Sequence, residues 1–297
     1  MRTLIVTMCL AATAFAQAFS GDAEGRALYD HMVGALAQAK TLRYVCEQRR
    51  EYGTWKSGLS RYRVWLRKPN HFRIEATRRN GEAAGTLIGD GENLWVHWPG
   101  DRPFFSTEER VDWEATARNV YMSERTPPKM HSIAHKLNVL GGGLGMAIVN
   151  PSLFHGAKSS LAPYLDGVKS LGKKKVDGEM CDGFEISYMK HQRSKYVWIS
   201  RRDHLPRELK EVVRVSTHLA NYERWKKIEI DGKLEDDLFR WTPPPGWKKW
   251  RLPRQSDRLL KTGAEAPDFK ARSLKGKRIG LADYRGKVVW LVFWRIG

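Results

Sequence analysis

The 297-residue chain carries 52 Lys+Arg against 33 Asp+Glu, a formal net charge of +19, with 41% hydrophobic and 29% charged residues. That apolar share can offset chain entropy and excludes wholesale disorder, and the body lacks the run of about 18 apolar residues a polytopic membrane protein needs. At about 150 residues per domain the length fits one large domain or two smaller ones, and the basic excess first suggests a phosphate-bearing partner such as nucleic acid.

The first element revises that suggestion. A single positive charge at Arg2 precedes the uncharged stretch Leu4 to Ala16, and both Ala14-Phe15-Ala16 and Ala16-Gln17-Ala18 fit the small-x-small cleavage rule. This is the pattern of a secretory signal peptide over residues 1–18, too short to span about 30 Å of hydrocarbon. Met8 stands before Cys9 where lipid attachment needs a small residue. A cleaved, periplasmic or secreted protein meets no nucleic acid, so an anionic envelope surface becomes the candidate counter-charge. Cleavage leaves Cys46 and Cys181, which form either one disulfide or two buried free thiols in an oxidising compartment. No C-x-x-C occurs, so no redox dithiol or zinc knuckle is available from adjacent cysteines.

From Glu24 to Lys40, Leu28, Met32, Leu36 and Ala39 recur near a period of 3.6, which predicts an amphipathic helix. From Thr41 the period changes. Tyr62, Val64 and Leu66 alternate with Arg61, Arg63 and Arg67; Phe72, Ile74 and Ala76 alternate with His71, Arg73 and Glu75; Leu94, Val96 and Trp98 flank His97. Period 2 predicts half-buried antiparallel strands with one apolar face. Lys68-Pro69-Asn70, Asp90-Gly91 and Trp98-Pro99-Gly100-Asp101 supply turns between them. Trp113 to Leu165 shows no clear alternation and reads as short helices and loops, with a hinge-like Gly141–Gly145. Strands resume over 183–189, 195–200 and 205–214, placing Phe184, Ile186 and Tyr188 on one face. The fold class is therefore α+β, mainly β: one strongly curved antiparallel sheet with helices over its apolar face. Period alone does not distinguish a filled core from a vacant cavity under those helices.

Three segments carry a resemblance. Val64-Trp65-Leu66-Arg67-Lys68-Pro69-Asn70-His71-Phe72-Arg73, Leu87-Ile88-Gly89-Asp90-Gly91-Glu92-Asn93-Leu94-Trp95-Val96 and Asp237-Leu238-Phe239-Arg240-Trp241-Thr242-Pro243-Pro244-Pro245-Gly246 resemble, in order and spacing, the strand–Pro–strand hairpin, the DG-x-x-LW hairpin and the closing segment of the periplasmic outer-membrane lipoprotein carrier (LolA/LolB-like) superfamily. The resemblance covers roughly residues 25–250. It implies an incomplete barrel of about eleven antiparallel strands under a helical lid, binding acyl chains of lipids or lipoproteins as carrier or sensor, without catalysis and without a cofactor. The face that would hold them carries Tyr62, Val64, Leu66, Phe72, Ile74, Leu94, Val96 and Trp98, with Phe184, Ile186 and Tyr188 from the second strand set. Lys68 stands where the family has a basic residue that bonds to the lid, and an ammonium lacks the planar fork with which Arg holds several carbonyls.

After a basic linker at 251–259, the segment 260–297 is similar to the opening of a redoxin, a thioredoxin-like thiol family. Gly263-Ala264-Glu265-Ala266-Pro267-Asp268-Phe269, Leu281-Ala282-Asp283-Tyr284-Arg285-Gly286-Lys287-Val288-Val289 and the apolar strand Val288–Phe293 carry that likeness. The family's catalytic cysteine would follow within a few residues, and the sequence stops at Gly297 first. A truncated reading frame accounts for this; docking of the strand on the body's sheet is the alternative. If truncated, the chain would be the N-terminal part of an envelope thiol oxidoreductase or peroxidase.

Other constellations are weaker. His131 and His135 share a helical face but lack the Glu and third ligand of a zinc peptidase, so no metal site is assigned. The glycines at 141–145 are not followed by Lys-Ser/Thr, and no G-x-S-x-G occurs. Trp225-Lys226-Lys227 and Trp247-Lys248-Lys249-Trp250-Arg251 suit an interfacial or polysaccharide contact. Ligand identity and oligomeric state are not specified by the sequence.

Overall fold

The computed structural model describes residues 19–56, 60–78, 80–100, 119–125, 149–156, 161–214, 218–249, 261–272 and 276–289. The chain divides into two compact units, 1–249 and 250–297.

In the first unit a helix, α1 (Ala23–Gln38), opens on Asp22, whose carboxylate accepts from the Gly25 N–H at 2.6 Å and from the Ser170 N–H at 3.0 Å. One side chain thus caps the helix and ties it to the sheet. Gly25 lets the helix sit close: a Cβ there would lie 2.5 Å from the Lys169 and Ser170 backbone. Met32 and Leu36 are buried on the same helical face.

Thirteen strands form one sheet: β1 (Thr41–Tyr52), β2 (Trp55–Lys56), β3 (Ser60–Arg67), β4 (His71–Thr77), β5 (Ala83–Asp90), β6 (Asn93–Trp98), β7 (Val120–Arg125), β8 (Leu165–Val176), β9 (Glu179–Tyr188), β10 (Arg193–Ser200), β11 (Pro206–Arg214), β12 (His218–Ile230) and β13 (Lys248–Lys249). Their order is β13-β7-β6-β5-β4-β3-β1-β12-β11-β10-β9-β8, with β2 folded back on β1. The pairings are antiparallel except the short parallel contact of β13 with β7. Pairing of β1 with β12, from Leu42↔Ile230 to Tyr52↔Leu219, joins the two halves of the unit. The ladder ends at β8 and β13, so the large curved sheet is open.

Two expectations change. Val120–Arg125, inside the stretch read as helices and loops, is a strand paired with β6, with Val120 and Met122 opposite Trp98 and Val96; six residues are too few for alternation to show. Among the described residues cover of the apolar face comes from a single α-helix, α1, together with the 3-10 turn Pro151–His155, whereas the turn Asp236–Phe239 packs on the other face, against Arg67 and His71. The signal sequence 1–18, the glycines at 141–145, and His131 and His135 lie outside the described residues.

In the second unit, β14 (Lys270–Arg272) pairs antiparallel with β15 (Arg278–Gly280). A 3-10 turn, Leu281–Tyr284, follows, in which Asp283 accepts from the Gly280 N–H at 2.8 Å. The strand read over Val288–Phe293 is not formed at Val288 and Val289, and the rest of it lies outside the described residues.

Candidate functional site

The sheet's interior face is built by register. Tyr62, Val64 and Leu66 of β3 stand opposite Ala76, Ile74 and Phe72 of β4. Phe72 and Ile74 meet Gly89 and Leu87 of β5, which meet Leu94 and Val96 of β6. Val96 and Trp98 then face Met122 and Val120 of β7. Tyr62, Val64, Leu66, Phe72, Ile74, Leu94, Val96 and Trp98 are each at most 1% exposed. Five strands therefore share one continuous apolar surface, where each large side chain contributes about 1.5–3 kcal/mol on burial. Gly89 is part of the design: a Cβ there would fall 2.1 Å from the Phe72 ring, which fills the gap the glycine leaves.

Phe184, Ile186 and Tyr188 lie on β9, also buried. The row Gln48↔Glu223, Glu223↔Leu209, Leu209↔Val197 and Val197↔Phe184 puts them on the same face as the first set. α1 covers this end, with Tyr29 edge-on to Phe184 at 6.3 Å between ring centroids.

Between the two apolar sets runs a band the sequence reading missed. On β1, β12, β11 and β10 the interior positions include Gln48, Arg50, Asn221, Glu223, Glu211 and Lys195. Glu211 accepts from Arg193 Nε at 2.8 Å and from Asn221 Nδ2 at 3.0 Å, and Asn221 accepts from Arg50 at 2.9 Å. Burial raises the Glu211 carboxyl, but the nearby Lys195 and Arg193 charges outweigh it and hold the group below its ordinary range. The signal for this band is the polar character of both faces of Asn221-Tyr222-Glu223-Arg224, which hides the alternation.

Lys68, in the β3–β4 turn, donates to the carbonyls of Leu36 (3.3 Å) and Ala37 at the C-terminus of α1. Its ammonium also lies 4.7 Å from the centre of the Phe154 ring. Without the planar fork of Arg, the single ammonium meets two oxygens of the last helical turn. Burial lowers the Lys68 pKa, opposed by Asp231.

Cys46 and Cys181 are both buried and free. Cys46 lies on β1 and Cys181 on β9, with β12, β11 and β10 between. Both thiols are free, so the alternative of two buried thiols holds and the candidate bridge is not made.

On the outer side, a cavity of about 550 Å³ is lined by Arg67, His71, Asp90, Trp95, Asp236 and Trp241, among others. Arg67 is held there by Asp236 at 2.7 Å and by the Leu234 carbonyl. Beside it Trp241 stacks on His97 at 4.4 Å, and Trp247 meets both edge-on. Of the two Trp–Lys runs, Trp225 is thus on the interior face and Trp247 is packed against the sheet. Elsewhere the outward charges are cross-linked, as in Lys174–Glu208 at 2.5 Å, Arg224–Glu208 at 3.0 Å and Lys226–Glu47 at 2.7 Å. Among the described residues no group of three His, Cys, Asp or Glu is placed to hold a metal ion. Nor is any described helix long and apolar enough to cross a membrane.

Comparison with solved structures gives distant likenesses. The Pseudomonas aeruginosa MucA/MucB complex is 11% identical over 87% of this chain and 75% of the other, with a TM-score of 0.40. The Mycobacterium tuberculosis lipoprotein LppX is 13% identical over 73% of this chain and 100% of its own, with a TM-score of 0.39. A LolA superfamily protein from Nitrosomonas europaea is 10% identical over 73% of this chain and 97% of its own, with a TM-score of 0.32. No curated protein matches the sequence. The family profile described as "Predicted periplasmic protein (DUF2092)" matches residues 25–251, a span that takes in α1, the whole sheet and both interior apolar sets, and the chain belongs to that family.

Proposed function

We propose that this periplasmic protein binds acyl chains of lipids or lipoproteins on the interior face of its open sheet, as carrier or sensor and without catalysis of its own. The observation that carries the reading is the apolar surface shared by β3 to β7, where Tyr62, Val64, Leu66, Phe72, Ile74, Leu94, Val96 and Trp98 are each at most 1% exposed. Among the described residues the strand order ends at β8 and β13, so parting the cover from this face breaks none of these strand ladders. α1, pinned by Lys68 at one end and by Asp22 at the other, is the natural moving part. The driving force would be burial of methylenes, about 0.8 kcal/mol each. The outward basic residues would favour an anionic envelope surface as the place of exchange.

The test is lipid retention. Purified protein should carry lipid detectable by mass spectrometry and displaceable by a fluorescent fatty acid, and Leu66→Glu should lower the retained amount severalfold. Protein free of lipid that also fails to bind the fatty acid would overturn the reading.

A second reading rests on the redoxin-like sequence of 263–289, where the β14–β15 hairpin leads into the Leu281–Tyr284 turn. It makes the chain part of a thiol oxidoreductase. Neither Cys46 nor Cys181 is exposed, and burial raises both thiols, which disfavours the reactive thiolate. No thiol peroxidase turnover is expected from this chain, and measured turnover would favour the second reading.

A further inference from the structure

Three neighbouring side chains on the interior face have polar atoms with no hydrogen-bond partner. They are Gln48 (both Nε2 and Oε1), Tyr62 (the hydroxyl) and Trp225 (the indole Nε1). Their residues are 1%, 1% and 4% exposed. They sit around one point of the sheet: Cys46 of β1 has Tyr62 of β3 and Trp225 of β12 as its direct cross-strand partners, and Gln48 is two residues along β1 on the same face. Trp225 is fixed by stacking on Tyr44 at 3.8 Å between ring centres. Leaving a buried donor or acceptor unmade is costly, and buried polar groups are normally satisfied. Three such residues on three adjacent strands, next to the apolar surface of β3 to β7, mark a place built for a polar group arriving from outside the chain.

The donor and acceptor inventory says what that group is. Gln48 offers two N–H and one carbonyl, Tyr62 one hydroxyl and Trp225 one N–H. A carbonyl is needed to take the donors, and a donor is needed for the Gln48 carbonyl. An ester supplies only the first; an amide supplies both. An anionic head group meets an unfavourable field. Burial, then the neighbouring Cys46 and Glu223 groups, raise both Tyr44 and Tyr62, the latter against the smaller opposing effect of Arg50; burial and then Glu223 raise Cys46 itself.

Building on the acyl-binding reading, we infer that Gln48, Tyr62 and Trp225 form a neutral head-group subsite selecting an amide-linked acyl chain, whose hydrocarbon lies over β3 to β7.

Competition against a dansyl-labelled fatty acid tests it, with N-methyldecanamide, methyl decanoate and decanoate as competitors. In the wild type the amide should displace the probe at about a tenth of the ester's concentration, the effect of about one hydrogen bond, and more effectively than decanoate. Gln48→Met and Gln48→Leu, which delete the one carbonyl that only an amide N–H can meet, should each bring the amide-to-ester ratio to within about threefold of unity. Because both replacements remove groups without partners, melting temperatures should stay equal or rise, and either variant suffices if the other fails to fold. Equal displacement by amide and ester in the wild type, or a ratio unmoved in both variants, would overturn the subsite and leave acyl binding standing. Tighter binding of decanoate than of the amide would overturn the neutral head group. Absence of probe binding altogether would remove the acyl reading and this inference with it.

Discussion

Lys68→Met tests how α1 is held, because methionine keeps the apolar stem and deletes only the ammonium. The ammonium donates to the Leu36 and Ala37 carbonyls and faces the Phe154 ring. A hydrogen bond to a charged group contributes about 1.5–3 kcal/mol, a cation at a helix C-terminus about 0.3–1 kcal/mol, and a cation over an aromatic ring about 0.5–1 kcal/mol. Lys68 is only half-buried, so solvent screening cuts the total to about 2 kcal/mol. For a unit of this size that corresponds to a fall of about 4–8 °C in Tm. The loss should be local. Amide exchange should accelerate across α1 (Ala23–Gln38) while the protection of β3 to β6 changes little. Lys68→Arg, which keeps the charge, should cost less than about 0.5 kcal/mol. Urea melts and hydrogen exchange on the three proteins decide it. A Lys68→Met protein within about 0.5 kcal/mol of wild type, with α1 exchange unchanged, would show that the helix is held by packing and by Asp22, without help from Lys68.

Other outcomes follow from single contacts. Gly89→Ala forces the Phe72 ring, whose nearest atom would lie 2.1 Å from the new Cβ, out of its place; about 1–3 kcal/mol of destabilisation should appear in urea melts and be relieved by Phe72→Leu. Arg207 bridges Glu179 and Asp203, each at 2.7 Å, with 9% of its side chain exposed; Arg202, 3.8 Å from Glu179 and 3.7 Å from Asp203, still faces both carboxylates without it, so Arg207→Met should cost about 2 kcal/mol, and a loss below about 1 kcal/mol would mean the pair is effectively solvated. Burial, aided by Arg73, lowers His97 to about 4, and burial, opposed by the Pro69 carbonyl, lowers His155 to about 4. With unfolded values near 6.5, their stabilisation is complete above pH 6.5 and lost as pH falls toward 4, on the order of 3 kcal/mol each. Denaturation midpoints measured between pH 7 and 4 should fall accordingly, and a His97→Phe, His155→Phe double variant should flatten that slope; an unchanged slope would refute the assignment.

How much of this could be read from the sequence depended on which faces were polar. In β3, β4 and β6 the inward residues are apolar and the outward ones, apart from Trp65 and Trp95, charged or polar, so Tyr62 to Arg67, His71 to Ala76 and Leu94 to Trp98 announce both strand and face. β9, β10 and β11 were legible for the same reason, although their bounds shift by a few residues. β8 was not, because it is an edge strand: of its twelve residues only Val168 and Val176 are buried, and lysines fill positions on both sides. β12 was hidden for the opposite reason. Asn221 and Glu223 point inward and are 8% and 2% exposed, while Tyr222 and Arg224 point outward, so polar residues stand on both faces and no period emerges. Burying such groups is costly unless they are paired, and a sequence does not display the partners: Asn221 is matched by Glu211 and Arg50, from ten residues before it and from 171 residues away along the chain. The same blindness concealed Gln48 and Trp225, the residues that distinguish this interior from a plain apolar core. An alternating pattern reports where a sheet is ordinary. The positions that break it, placed by β1 pairing with β12 across the length of the unit, are where the interior departs from hydrocarbon and where a ligand's polar end has something to meet.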